Sequence, residues 1–441
     1  MSRPWRLALR PVLVVAASLS LAIMVVPAAA ASPAISLSPR HGPPTQRIVV
    51  LGNGFGAAET VDVTFDGVAV GSARTDATGT FRTKFAAPQS ALPGDHPVRA
   101  TGLASGLRGR AEFVVRTDWL QFAFDAAHTG YNPFENVLNT SNVGGLRREW
   151  LQRGAADRDG SFAVWGGLLL SGDAAVNASD GAIVWERAGS MGTPAVSAGV
   201  MYTGGDRLYA LNPGTGQKIW ARDLGAGVSP PTVTAGVVYV GSGDDTYALS
   251  ASGGTILWSA PYAGSELAVA GGSVFESDFS DVRSLDAATG QVQWSVAMEP
   301  VTYPVAAGGL VYVVHDGSLV ALDAGSGAVV WTSAYLGLND ASPAVAYGMV
   351  FVSNDAGLCA FDAATGTPVW SHATMSMTFA APVVANGVVY AVVGPRLYVF
   401  DASTGKRFFE TALGGWIHVS PSVANGVVYV DSERALFAYG L

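Results

Sequence analysis

A thirteen-residue phrase, rewritten along the chain, constrains the fold more than any other feature. LYALNPGTGQKIW (208–220) returns as TYALSASGGTILW (246–258), VRSLDAATGQVQW (282–294), LVALDAGSGAVVW (319–331) and LCAFDAATGTPVW (358–370). A worn copy, DAAVNASDGAIVW (173–185), precedes them and LYVFDASTGKRFF (397–409) follows. Gly stands four residues before the closing aromatic in all seven copies: Gly181, Gly216, Gly254, Gly290, Gly327, Gly366 and Gly405. Asp, Asn or Ser stands eight before it: Asn177, Asn212, Ser250, Asp286, Asp323, Asp362 and Asp401. Such a period means that each copy is one supersecondary unit, which buries its faces only by stacking on its neighbours.

Each unit reads as four strands. In the third clear copy these are SPPTV (229–233), VVYVGS (237–242), DTYALS (245–250) and TILW (255–258), named here strands A to D and joined by the tight turns AG, GD and ASGG. The repeated Gly supplies a positive-φ turn position, and the Asp or Asn four residues earlier caps the turn backbone. The closing aromatics fall at Trp150, Trp185, Trp220, Trp258, Trp294, Trp331, Trp370 and Phe409. The last repeat, residues 420–441, has strands A to C and stops before D, whereas LRREW (146–150) supplies an unpaired D. Pairing residues 146–151 with the C-terminal strand closes the ring. The expected architecture is all-β: an eight-bladed β-propeller of four-stranded antiparallel blades over residues 117–441.

Residues 33–116 lack the repeat. Short alternating runs (48–51, 61–65, 81–85, 98–101 and 111–115) are separated by GNGFG, DATGT and LPGDH, the pattern of a small β-sandwich. Residues 1–31 carry Arg3, Arg6 and Arg10, an apolar run from Val12 to Val26 and small residues at 27–31, which reads as a secretory signal. No later run is long and apolar enough to span a membrane. A secreted, extracellular or envelope-associated protein is expected. The net charge of −9 argues against nucleic-acid binding. Cys359 is the single cysteine, so disulfides within the chain and thiolate metal clusters are excluded; it reads as a small buried hydrophobe.

Two resemblances follow from these residues. LSPRHGPPTQRIVVLGNGFGAAETVDVTFDG resembles the IPT/TIG branch of immunoglobulin-like domains, which implies a spacer or adhesion module. The unit Ala210-x-Asn212-x-x-Thr215-Gly216-x-x-x-Trp220, matched by Ala360 to Trp370, resembles the tryptophan docking motif of quinoprotein (PQQ-type) propellers. The lead-in, residues 119–150, resembles the entry segment of the same superfamily. That likeness implies either a calcium- and PQQ-dependent alcohol or sugar dehydrogenase or a non-enzymatic relative, and fold alone does not choose between them.

The residues that the repeat does not require stand in the D-to-A connections: Glu266, Glu299, Tyr303, Asn339, Asp340, His372, Met375, Met377, Trp416 and His418. Loops on a rigid scaffold carry binding, so these are the candidate ligand contacts at the propeller mouth, weighed against ordinary polar loop surface. No catalytic residue, metal ligand or cofactor is expected. PQQ is a tricarboxylate, and the connections and B-to-C turns offer few cations (Arg187, Arg222, Arg207, Arg396 and Arg434). The leading expectation is an exported, non-enzymatic scaffold that binds a protein, a cell-wall glycan or a small ligand. The alternative is a PQQ- and calcium-dependent dehydrogenase, and a third reading is a purely structural surface protein.

Overall fold

The structure, a computed structural model, describes Met1 and residues 32–441 except 154–159, 188–191, 226, 263, 266, 279, 300–301, 335–336, 338–340, 355–356, 375–379, 416 and 418. Apart from Met1, the expected secretory signal lies outside the described residues. Among them, no helix is long and apolar enough to cross a membrane. Among the described residues one 3₁₀ turn, Val143–Gly145, is the helical element, and everything else regular is strand.

Residues 34–115 form two sheets around one core. Ala34–Ser38, Arg47–Asn53 and Phe81–Ala86 make the first; His41–Gly42, Arg108–Val115, Gly94–Gly102, Thr60–Phe65 and Val68–Arg74, in that order, make the second. Period-two alternation turns Ile48 and Val50 of one sheet toward Val61, Val63, Phe65, Phe113 and Val115 of the other. Three of these strands are not anticipated from sequence: Ala34–Ser38, His41–Gly42 and Val68–Arg74. The last is an edge strand that buries none of its residues, so no apolar alternation marks it.

Eight further sheets follow and resemble propeller blades: seven have four antiparallel strands, and the one containing Val383–Ala385 has the same four plus Tyr131–Asn132, paired parallel to its inner strand. The third contains Thr232–Thr234, Val237–Ser242, Asp245–Ser250 and Ile256–Ala260. Its strand A starts three residues later than the sequence suggests, because Pro230 and Pro231 cannot donate to a ladder. The A-to-B turns hold two successive positive-φ residues, as at Ala235 (49°) and Gly236 (79°) or Asn386 (45°) and Gly387 (81°), the requirement of a type I′ hairpin. Each strand A touches the next, from Ala163–Trp165 round to Ser422–Ala424, and the last touches the first. The eighth sheet takes its outer strand from the other end of the repeat region: Arg147–Arg153 runs antiparallel to Ala435–Gly440, as the missing fourth strand of the last repeat leads one to expect.

The closing tryptophans sit at β-bulges. Ala210 faces Trp220 while Leu211 faces Lys218, so Ile219 is skipped and stands 53% exposed. The same slip ejects Leu257, Val330 and Val369. A bulge sharpens the local twist and re-aims the next side chain. Each indole N–H then donates across to a carbonyl in the C-to-D turn of the following sheet, at 2.8–3.2 Å: Trp150 to Ala178, Trp185 to Pro213, Trp220 to Ala251, Trp258 to Ala287, Trp294 to Ala324, Trp331 to Ala363 and Trp370 to Ala402. The turn glycine lies under that ring: a Cβ at Gly290 would stand 2.6 Å from Trp258. Phe409 has no indole and meets Tyr439 edge-on at 6.1 Å.

The repeated carboxylates are turn caps. Asp286 accepts from the Ala288 and Thr289 amides and the Thr289 hydroxyl, and Asp323 and Asp362 repeat the arrangement. The Thr289, Ser326 and Thr365 hydroxyls foremost hold these carboxyls below their ordinary pKa. Cys359 is buried in Gly357–Asp362, and burial pushes its thiol pKa up.

Candidate functional site

A strand A is the innermost of the four strands of its sheet, so one of its edges has no partner within the repeat, and an unpaired buried N–H is costly; at Val383–Ala385 that edge is taken by the short parallel strand Tyr131–Asn132. The start of the lead-in, within residues 119–132, supplies the acceptors. Val164 donates to the Trp119 carbonyl at 2.6 Å, Val196 to Leu120 at 2.7 Å, Val269 to Ala126 at 2.5 Å, Ala306 to Ala127 at 2.9 Å, Val345 to Thr129 at 2.8 Å and Val384 to Gly130 at 2.8 Å. In the third sheet Val233 donates to the side-chain oxygen of Gln121 at 3.0 Å. At the eighth the direction reverses, and Asn132 Nδ2 donates to the Val423 carbonyl at 2.9 Å. One irregular segment thus meets all eight inner edges, on the face of the A-to-B turns.

The curl that does this is built locally. Ala123, Phe124, His128 and Gly130 have positive φ, and Asp125 accepts from the Thr129 amide and hydroxyl at 3.0 and 2.8 Å. Glu135, 3% exposed, anchors the exit. It accepts from the Thr117 hydroxyl, the Val137 and Leu138 amides and Gly426 N. Glu135→Gln replaces an acceptor-only group by one bearing two donors that face donors. It is expected to cost about 1.5–3 kcal/mol, the range for hydrogen bonds to a charged group, in urea denaturation of the purified protein.

His128 is buried on this segment. Its Nε2 lies 3.0 Å from the Thr232 hydroxyl, which donates onward to the Leu267 carbonyl, so Nε2 carries the proton and Nδ1 has no partner among the described residues. Burial pushes its pKa down to about 3 from an ordinary 6.5. The unfolded chain binds this proton below pH 6.5, whereas the folded one does not until about pH 3. The contribution to stability is therefore complete above pH 6.5 and lost as pH falls toward 3, by about 2 kcal/mol at pH 5. Urea midpoints of wild type and His128→Phe, compared at pH 7 and pH 5, should diverge by that amount.

The D-to-A connections and B-to-C turns form the opposite face. Glu266, Asn339, Asp340, Trp416 and His418, with Met375 and Met377, lie outside the described residues. Glu299 and Tyr303 stand exposed between the fourth and fifth sheets. The placement of His372 differs from that read in the sequence: it is within strand D (Pro368–Ala373), opposite Leu358, with its ring 4.7 Å from Phe400. It therefore belongs to a sheet edge and does not join Glu299 and Tyr303. A small cavity of about 340 Å³ on this face is lined by Gly205, Gly241, Gly264, Ser229, Ser242 and their neighbours, none of them anticipated.

A charged cluster on this face also escaped the sequence reading. Arg283 bonds Asp278 at 2.7 Å and Asp281 at 2.6 Å, lies 3.9 Å from Glu276, and covers the Tyr262 ring at 4.8 Å. Glu276 is fully buried; burial raises its pKa, while Thr246 donates to it at 2.7 Å. Its signal was legible, since Glu276 occupies the strand position held by Val240, Val313 and Val352 in other copies. Arg283 is engaged by acids, and among the described residues no group of three or more His, Cys, Asp or Glu is arranged for a metal.

Comparison with known proteins gives the lineage. BamB from Moraxella catarrhalis superposes with a TM-score of 0.53 at 16% identity, over 66% of this chain and 100% of that one. Quinohemoprotein alcohol dehydrogenase ADHIIG from Pseudomonas putida HK5 superposes with 0.60 at 14%, over 74% and 80%. Both likenesses are of fold. The serine/threonine-protein kinase AfsK of Streptomyces griseus is 32% identical over 147 residues, 28% of this chain, which spans only 18% of that protein's length. The family described as "Outer membrane protein assembly factor BamB" matches residues 172–276, 278–381 and 374–439. Covering more than half of the sequence in consecutive repeats, that match shows that the chain belongs to this family.

Proposed function

We propose that the protein is an exported, non-enzymatic binding scaffold: an immunoglobulin-like module followed by an eight-bladed quinoprotein-type propeller joined by its tryptophan docking contacts. The observation that carries this reading is the lead-in bonded to all eight inner edges, which makes a rigid ring whose variable loops face away from it. Glu299 and Tyr303 are exposed on that loop face, and together with Glu266, Asn339, Asp340, Trp416 and His418 they are its candidate contacts. The family's description as an assembly factor supports a protein partner. The engagement of Arg283 by three acids weighs against PQQ, because a tricarboxylate there would meet an excess of acidic groups instead of a free cation.

The test is direct. Purified protein is mixed with PQQ, calcium, alcohols or sugars and an artificial electron acceptor. No reduction of the acceptor above the protein-free rate is expected. Reduction that requires both PQQ and calcium would overturn the scaffold reading in favour of the dehydrogenase.

A further inference from the structure

The chain leaves the two-sheet unit at Val115 and enters the lead-in, and a cleft of about 790 Å³ opens beside it. Its walls come from three places: Gln46 and its neighbours on the two-sheet unit; Arg116, Asp118, Gln121 and Phe124 on the connection and lead-in; and Trp165 of the first large sheet with the A-to-B turns of the second and third. The volume is that of a ligand site.

The lining has a definite chemistry. Phe124, Phe134 and Trp165 are half-buried and offer flat apolar faces. Asp118 accepts from Asn425 Nδ2 at 3.0 Å on one oxygen and from Gly166 N at 3.2 Å on the other, which leaves further lone pairs on each. Arg116 has no side-chain hydrogen bond among the described residues. Gln121 spends its oxygen on Val233, and its amide nitrogen has no partner among them. Gln46 donates to the Arg47 carbonyl and keeps its own oxygen.

Unspent donors and acceptors therefore alternate beside aromatic planes. An anion would face Asp118 and Asp125; a cation would face Arg116. An extended peptide would find no ladder edge here, because the Val196 and Val233 amides are taken by Leu120 and Gln121. Hydroxyl groups both donate and accept, and the C–H faces of pyranose rings suit aromatic planes. We infer that this cleft binds a neutral oligosaccharide of roughly two or three pyranose rings, as its volume allows. The site lies on the face opposite Glu299 and Tyr303, so its failure leaves the loop-face reading untouched.

Isothermal titration of the full chain with cellotriose, the fully N-acetylated chitotriose, maltotriose and the trianion of trigalacturonic acid tests it. At least one neutral trisaccharide should bind with submillimolar affinity. Asp118→Asn and Gln46→Ala should each weaken it about tenfold or more, with Gln46→Ala leaving the melting temperature unchanged, while Tyr303→Ala has no effect on binding. The inference is overturned if no neutral trisaccharide binds at millimolar concentration, if both cleft variants bind like wild type, or if the trianion binds tightest.

Discussion

A chain that begins at Leu146 is expected to lose cooperative folding, although it keeps Arg147–Arg153 and so can complete the eighth sheet. What it lacks is the lead-in. Seven inner-strand amides lose their acceptors, each worth about 1 kcal/mol net when made and more when left buried and unpaired. Trp119, Leu138 and Val143, all essentially fully buried, leave the core with it, at about 1.5–3 kcal/mol each. The sum is on the order of 10 kcal/mol, comparable with the whole stability of an ordinary domain. A chain that begins at Arg116 drops the two-sheet unit but keeps the lead-in, and should remain folded. Circular dichroism melts and size-exclusion profiles of the two compare them directly. A cooperative melt of the shorter chain within about 5 °C of the longer one, a shift worth only about 3 kcal/mol for a chain of this size, would show that the lead-in merely decorates the ring.

Trp294→Ala should cost about 3–5 kcal/mol in urea denaturation, as large aromatic truncations in cores do. Trp294 is 8% exposed, donates to the Ala324 carbonyl at 3.0 Å and packs over Gly327, where a Cβ would stand 2.7 Å from the ring. Trp294→Phe keeps most of the burial and loses the hydrogen bond, so about 1–2 kcal/mol is expected. The contact also predicts coupling. Gly327→Ala alone combines a φ of 71° with the clash against the ring, while in the Trp294→Ala background the ring clash is gone and the backbone strain and a tight 3.1 Å approach to Val296 remain. The two changes together should cost at least about 1 kcal/mol less than their sum. A loss well below 1 kcal/mol for Trp294→Ala, or strict additivity, would contradict the inter-sheet role.

The repeat determined much of this by itself. Gly, Asp and Trp at set offsets dictate tight turns, their caps and a shared outer strand, because those needs are local: a positive φ, an acceptor two residues from an amide, an alternating apolar face. The exchange of Arg147–Arg153 into the last sheet was legible for the same reason, as a count of strands. What the sequence left open depends on residues distant along the chain. That Gly327 must be Gly because Trp294 of the preceding sheet lies on it, that a bulge ejects Ile219 so Trp220 can turn sideways, and that His372 rests on Phe400 are facts of packing between units. The lead-in is the clearest case. Nothing local in WLQFAFDAAHTGYN foretells eight partners, because its backbone and side-chain polar groups acquire them only when closure brings eight inner edges to one axis. The cleft beside Arg116 likewise arises where surfaces distant along the chain meet, and no local spacing records such a meeting.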